Sequence, residues 1–346
     1  MRLLMKLHNL TVSSALVLMW FSLAGCMSTT TAVQDKQAPR LDLSGVWDFR
    51  TLTPLERPQA LAGKSRLTEE QASEIENQAS QATLESDQPS DGDRGAPPAG
   101  ANVGAYNSFW FDHGARVSRD FRTALIVDPP DGRLPDLQEG VQLQVGGDEL
   151  PTDLPVRLRV GGVGTDGPES RGLAERCLLG FSSGPPILPG GYNQNIRIVQ
   201  TNDHVMVLNE MVHDARIIPV VPRPRLGLDT WMGESHGRWE GSTLVVETSH
   251  FNPNLASFSP SFFSSVGNAK DLKLTERFRR LDEDTLQYAF TVDDPSTYTA
   301  PFTAVLLMRK SSERVYEFAC HEGNYALRNI LTGARAAERF ASSGSD

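Results

Sequence analysis

Between residues 196 and 320 apolar residues recur at alternate positions in short runs, the period of a half-buried strand. IRIVQT (196–201) and HVMVLNEMV (204–212) are two such runs joined by a turn at Asn202-Asp203, and RIIPVV (216–221) follows directly. GRWEGSTLVVETSHF (237–251) predicts a hairpin around Glu240-Gly241. DLKLTERFRRL (271–281) is expected to pair with TLQYAFTV (285–292) across Asp282-Glu283-Asp284, and PFTAVLLMR (301–309) with RVYEFAC (314–320) across residues 310–313. About eight or nine short strands at hairpin spacing predict a mainly β chain, an antiparallel barrel or sandwich.

The first half of the chain is less regular. LSGVWDF (43–49) reads as a first strand carrying the G-x-W element Gly45-Val46-Trp47. Thr68-Glu69-Glu70-Gln71 is a capping box and predicts a helix running to about residue 84. Residues 86–104, rich in Pro, Gly and Asp, read as a loop. NSFWFDHG (107–114) sets three aromatics beside Asp112 and His113, and TALIVDPPDGRLP (123–135) is a short strand ended by a double-proline turn. Residues 137–184 carry no clear period. The expected division is a first strand and a helix- and loop-rich insertion lobe over 43–190, a β-meander over 191–323, and a C-terminal helix and tail over 324–346, with Asn324 as the helix cap.

The N-terminus changes the picture. Arg2 and Lys6 precede an apolar stretch too short to span a bilayer in the ordinary way. It ends in Leu23-Ala24-Gly25-Cys26, which resembles the bacterial lipobox; the resemblance implies that residues 1–25 are a signal peptide and that Cys26 is acylated after cleavage. Met27 follows, with no Asp to retain the protein at the inner membrane, so the expected address is the outer membrane, with residues 26–42 as a tether. More than one acyl chain gives stable anchoring. Cys177 and Cys320 then remain, an even number in an oxidising compartment, and a disulfide between them is expected; two separate buried thiols are the alternative. The formal charge is −10 and no basic cluster stands out, which argues against nucleic acid as a partner.

The G-x-W strand, the β-meander and the terminal helix together resemble the lipocalin or calycin-type barrel at the level of fold. LIVDPPDGR, ERCL, EMVHDARIIP, GRWEGSTLVVET, TERF and YEFACHEGNY resemble a large group of secreted bacterial proteins to which no activity is attached. Gln194, His236 and Phe302 stand where that pattern leads us to expect Asn, Arg and Trp.

EMVHDARIIP (210–219) carries the densest chemistry: Glu210, His213, Asp214 and Arg216 at the end of an apolar run. Asp is a good turn residue, so a turn at His213-Asp214 with a return strand is expected, and Arg216 can then reach back to Glu210 as an ion pair. In CHEGNY, His321, Glu322 and Asn324 lie at a strand-to-helix junction. If the two ends meet, Glu210 and His321 form a proton-transfer pair with His213 beside them and Arg216 as anion partner. Glu276 shares a face with Leu272, Leu274 and Phe278 and points inward, whereas Arg277 points out. With Tyr288, Trp239 and Asn193 it is expected to line a barrel pocket for a small amphipathic molecule; a filled core with a satisfied Glu276 is the alternative.

Other chemistries find little support. H-E-x-x-H, paired C-x-x-C and H-x-H are all missing from the sequence, and no metal or organic cofactor is expected. Gly233-Glu234-Ser235-His236-Gly237 matches G-x-S-x-G but leads into a strand rather than a helix, the wrong context for a nucleophile elbow. Three function classes follow: an envelope lipoprotein that binds a small molecule, a cofactor-free acid–base enzyme (lyase, isomerase or hydrolase) using the same pocket, and a structural or interaction protein of the envelope.

Overall fold

A computed structural model describes residues 41–86, 93, 95, 111–145, 163–261 and 264–343. The signal segment, Cys26, its tether up to residue 40, and most of the loop 86–104 lie outside them. Thirteen strands and two α-helices are described: β1 Gly45–Asp48, α1 Glu69–Ser86, β2 Ile126–Asp128, β3 Leu143–Val145, β4 Asn195–Gln200, β5 His204–Asn209, β6 Ala215–Pro219, β7 Glu234–Glu240, β8 Thr243–Ser249, β9 Phe258–Ser261, β10 Ser264–Val266, β11 Lys273–Arg280, β12 Thr285–Asp293, β13 Phe302–Ser311 and α2 Ala326–Ser343. The fold is mainly β.

The main sheet runs in the order β6-β5-β4-β1-β13-β12-β11-β8-β7, with β2 added to β13, and a small sheet runs β3-β10-β9. All of these pairings are antiparallel. After β1 the chain joins the sheet, among the described residues, only through β2 on β13 before it returns to pair with β1 itself through β4, so what lies between them is an insertion between neighbours. The large sheet stays open, because among the described residues no ladder joins β6 to β7. The two end strands nevertheless face each other. A Cβ added at Gly237 would sit 3.0 Å from Val220 and 3.1 Å from Ile218, so the side-chain-free position lets β7 approach β6.

Alternation explains the inner face. Leu274, Glu276 and Phe278 of β11 are buried while Arg277 is exposed, and Tyr288, Phe290 and Val292 of β12 are buried opposite them. The interior is filled. Tyr288 packs on Phe278 and Phe290 with ring centres 4.9 and 5.8 Å apart, and Phe258, Phe302 and Tyr298 continue the cluster. The expected ligand space among Leu, Tyr and Phe side chains is therefore a packed core. Trp47 of the G-x-W element is fully buried and donates its indole N–H to the Leu43 carbonyl at 2.9 Å. Gly45, two residues earlier, holds φ at +147°, a value side chains resist.

The capping box forms as read: Thr68 Oγ1 accepts from the Gln71 N–H at 3.3 Å, and Gln71 Oε1 accepts from the Thr68 N–H at 3.1 Å. RVYEFAC corrects the expected pairing, since residues 312–319 form no strand and Tyr316 is 69% exposed. One edge of β13 is taken by β12 and the other is shared by β1 and β2, which leaves no edge for a returning strand. Asn324 does not cap α2. Its side-chain amide instead donates to the Glu175 carbonyl at 3.0 Å, tying the junction to the insertion.

Candidate functional site

The charged turn after β5 is built as a clamp. Met211–His213 make a single 3-10 turn, with Val212 and His213 at φ +58° and +49°. The Asn209 N–H closes it on the Asp214 carbonyl at 2.7 Å, and β6 begins at Ala215. A return strand follows the turn as expected, but the side chains point elsewhere. Glu210 accepts from the Asn195 amide at 2.9 Å on neighbouring β4. Asp214 accepts from the Gly180 N–H at 3.0 Å, Ser183 donates to the Met211 carbonyl at 3.1 Å, and Asn209 donates to the Ser183 carbonyl at 2.9 Å. Turn and insertion interlock so closely that a Cβ at Gly180 would lie 2.6 Å from Met211. His213 is exposed in this turn.

Burial raises the Asp214 carboxyl above its ordinary 3.8, with the Gly180 amide offsetting part of the effect. A carboxyl raised on folding stabilises the fold below its ordinary value and loses that contribution as pH rises through the folded value. Asp214→Asn keeps an oxygen for the Gly180 N–H. The variant should gain on the parent protein as pH rises from below 3.8 to neutrality, read from paired urea denaturation curves. A stability difference that stays constant over that range would show the carboxyl has no such effect.

Arg216 reaches past Glu210 altogether. It extends from β6 across the core to β11, where its Nη1 and Nη2 donate to Glu276 Oε2 and Oε1 at 2.6 and 2.8 Å. Tyr288 donates its hydroxyl to Glu276 Oε1 at 2.8 Å and accepts from the Ile187 N–H at 3.0 Å. Arg216 is 6% exposed, and Glu276 and Tyr288 are 0% exposed. Burial alone would pull the guanidinium down, but the Glu276 carboxylate outweighs it and holds Arg216 above its usual value. Burial and the same carboxylate push the Tyr288 phenol well up. This is a satisfied buried pair: Glu276 points inward as read, and its partner is Arg216.

The second cluster lies at the corner before α2. Cys177 and Cys320 are joined, with an S–S distance of 2.04 Å, the expected disulfide. His321 and Glu322 are exposed there, whereas Glu210 is 6% exposed in the turn, and no hydrogen bond joins Glu210 to His321. No described contact brings the two expected proton-transfer residues together. Trp239 on β7 packs half-buried on the core, and Asn193 takes φ +51° in the bend before β4, a conformation Asn accepts readily. Neither they nor Glu210, Arg216, Glu276 and His321 line the cavities described next.

Those cavities open where the chain diverges from β13 after β1. A cavity of about 380 Å³ is lined by Leu52, Leu55, Leu125, Phe181 and Leu188, with Thr51, Thr53, Ser259, Ser261 and His113 among the other lining residues. A second, of about 680 Å³, shares Leu52 and His113 and is lined by Asp48, Arg50, Asp112, Arg116, Arg309 and the Ala79–Thr83 face of α1. Its charges are arranged unequally. Arg50 donates to both Asp48 oxygens, at 2.9 and 2.8 Å, and also to Asp112. Arg116 and Arg309 make no ion pair with any described residue. His113 Nδ1 lies 3.2 Å from the Gly190 carbonyl, which can only accept, so Nδ1 is the donor in that contact.

Asp112 and His113 were visible in the sequence as ionisable residues among aromatics. Leu52, Leu125, Arg309 and Ser259 were not, because Leu52 and Ser259 lie in stretches without a clear period, and Leu125 and Arg309 read as ordinary strand positions. Ser235 of the G-x-S-x-G match pairs with Thr248 at 2.9 Å on the β7–β8 hairpin, with no helix after it. Among the described residues no three His, Cys, Asp or Glu side chains converge as a metal site, and no helix is long and apolar enough to cross a membrane. Comparisons with protein-family models, with curated proteins and with solved structures find no match for this chain.

Proposed function

We propose that this chain is an envelope lipoprotein that binds a small amphipathic molecule, held in the cleft between the insertion and the sheet rather than inside the sheet. The observation that carries the reading is the make-up of the 380 Å³ cavity. Its walls are leucines and Phe181, and Ser259, which also lines it, is 5% exposed with a hydroxyl that finds no hydrogen-bond partner among the described residues. Native folds rarely bury a hydroxyl unpaired, and an apolar space with a few convergent polar groups is the usual form of a ligand site. The lipid anchor rests on the lipobox resemblance at Cys26. The acid–base enzyme has less behind it, since Glu210, Arg216 and His321 line neither of the two cavities and Arg216 is spent on Glu276.

The test uses Cys26→Ser protein, so that no detergent competes for the cleft. A polarity-sensitive naphthalene-sulfonate dye should bind at one equivalent and be displaced by small amphiphiles. Leu188→Trp, which places an indole in the cavity, should weaken the dye by at least about tenfold, the equivalent of about 1.4 kcal/mol. Equal dye affinity in a folded Leu188→Trp protein would place the ligand elsewhere.

A further inference from the structure

The two cavities are neighbours that share Leu52 and His113 in their linings, and they differ in chemistry: one is apolar, the other carries three arginines against two aspartates. Arg309 sits on the outer face of β13 and lines the second cavity together with α1, half-buried, and its guanidinium makes no hydrogen bond or ion pair with any described residue. The carboxylates nearest it are already engaged. Asp48 is held by Arg50, Asp112 accepts from the same guanidinium, and Glu76 accepts from the Val117 N–H at 3.0 Å. Burial, and then Arg116 close by, pull the Arg309 guanidinium below its usual value, with Asp48 and Glu76 countering in part. Two cations thus face one space in a protein whose formal charge is −10. An arginine kept partly dry and unpaired gains from an anion that reaches it, and its planar fork suits a carboxylate or phosphate.

We propose that the two cavities form one site for an anionic amphiphile, with its acid group at Arg309 and Arg116 and its apolar body across Leu52 against Leu125 and Leu188. The inference rests on the ligand-binding reading of the cleft and adds the sign and place of the head group. Leu52 lies between the two cavities, so the ligand's charged and apolar parts are adjacent along one chain.

The experiment is calorimetric titration of the Cys26→Ser protein with octanoate, octan-1-ol and acetate. Octanoate should bind at one equivalent, and at least about tenfold tighter than octanol, the gain expected of a charge-assisted contact. Acetate, which has the head group alone, should bind more weakly than either. Arg309→Met should bring octanoate down to the octanol level and leave octanol unchanged, while Arg309→Lys keeps most of the preference. If Arg309→Met does not fold, Arg116→Gln, at an exposed position, should lower octanoate severalfold without altering octanol. Equal binding of octanoate and octanol, or a preference that survives Arg309→Met, overturns the proposal and leaves the cleft as a neutral binder. Failure of both eight-carbon probes to bind overturns the ligand-binding reading and this proposal together.

Discussion

Replacing Glu276 with glutamine is expected to destabilise the protein by about 3–5 kcal/mol, the usual effect of removing one partner from a buried ion pair. The magnitude follows from burial. Arg216 is 6% exposed and spends both outer nitrogens on Glu276, so the change strands a guanidinium inside the core. It also takes from Tyr288 the carboxylate its hydroxyl donates to. Urea denaturation should show a lower midpoint with an unchanged slope. The double variant Arg216→Met with Glu276→Leu is expected to be less destabilised than Glu276→Gln, because no lone charge stays behind. A single variant within about 1 kcal/mol of the parent would mean that Arg216 finds water or another partner. The same network sets an alkaline limit. The phenol of Tyr288 is raised above its ordinary 10.0, so its contribution is complete below that value and is lost as pH rises through the folded value.

Cys320→Ser carries the second large effect. The bond closes a separation of 143 residues, from the insertion to the segment before α2. The chain-entropy treatment gives on the order of 5 kcal/mol for a loop of that size, and measured losses of native disulfides fall at about 2–5 kcal/mol. We expect a loss within that range, seen as a lower denaturation midpoint. The loss should be matched by Cys177→Ser and should not grow in the double variant, since either change opens the same bond. The local consequence is also predictable. No residue of α2 is buried, and its hold on the rest of the chain includes the disulfide, Asn324 on Glu175, and Arg335 on the carbonyls of Thr165 and Asp166. Brief proteolysis should therefore remove α2 from Cys320→Ser protein well before the sheet is cut.

The strands were legible where alternation is long. HVMVLN, LKLTERF and TLQYAFTV show period two, and the inward position of Glu276 follows from its neighbours Leu274 and Phe278. RVYEFAC has the same alternation and forms no strand, because both edges of β13 are already occupied; a period records which face is apolar and not whether a partner exists. β2 falls within the short strand read in TALIVDPP, whereas β3, β9 and β10 are three or four residues long and partly Ser-rich, too short for a period to emerge. Glu210 and Arg216 look like partners in the sequence because they are six positions apart. The actual partner of Arg216 is 60 residues away and faces it only once the sheet has curled. The cleft was hidden for a similar reason: its walls come from segments beginning at residues 51, 113, 125, 181 and 259, most of them without regular structure.

The bond between Cys177 and Cys320 also has a consequence in time. A chain is made from its N-terminus, so Cys177 emerges before the whole meander that its partner closes off. During that interval the thiol at 177 has Cys26 as its sole possible mate within the chain, since the sequence contains three cysteines. A bond formed then would staple the leader region to the insertion and leave Cys320 orphaned. Acylation of Cys26, which the lipobox implies, would withdraw that rival thiol, and anchoring would act as a proofreading step for oxidation.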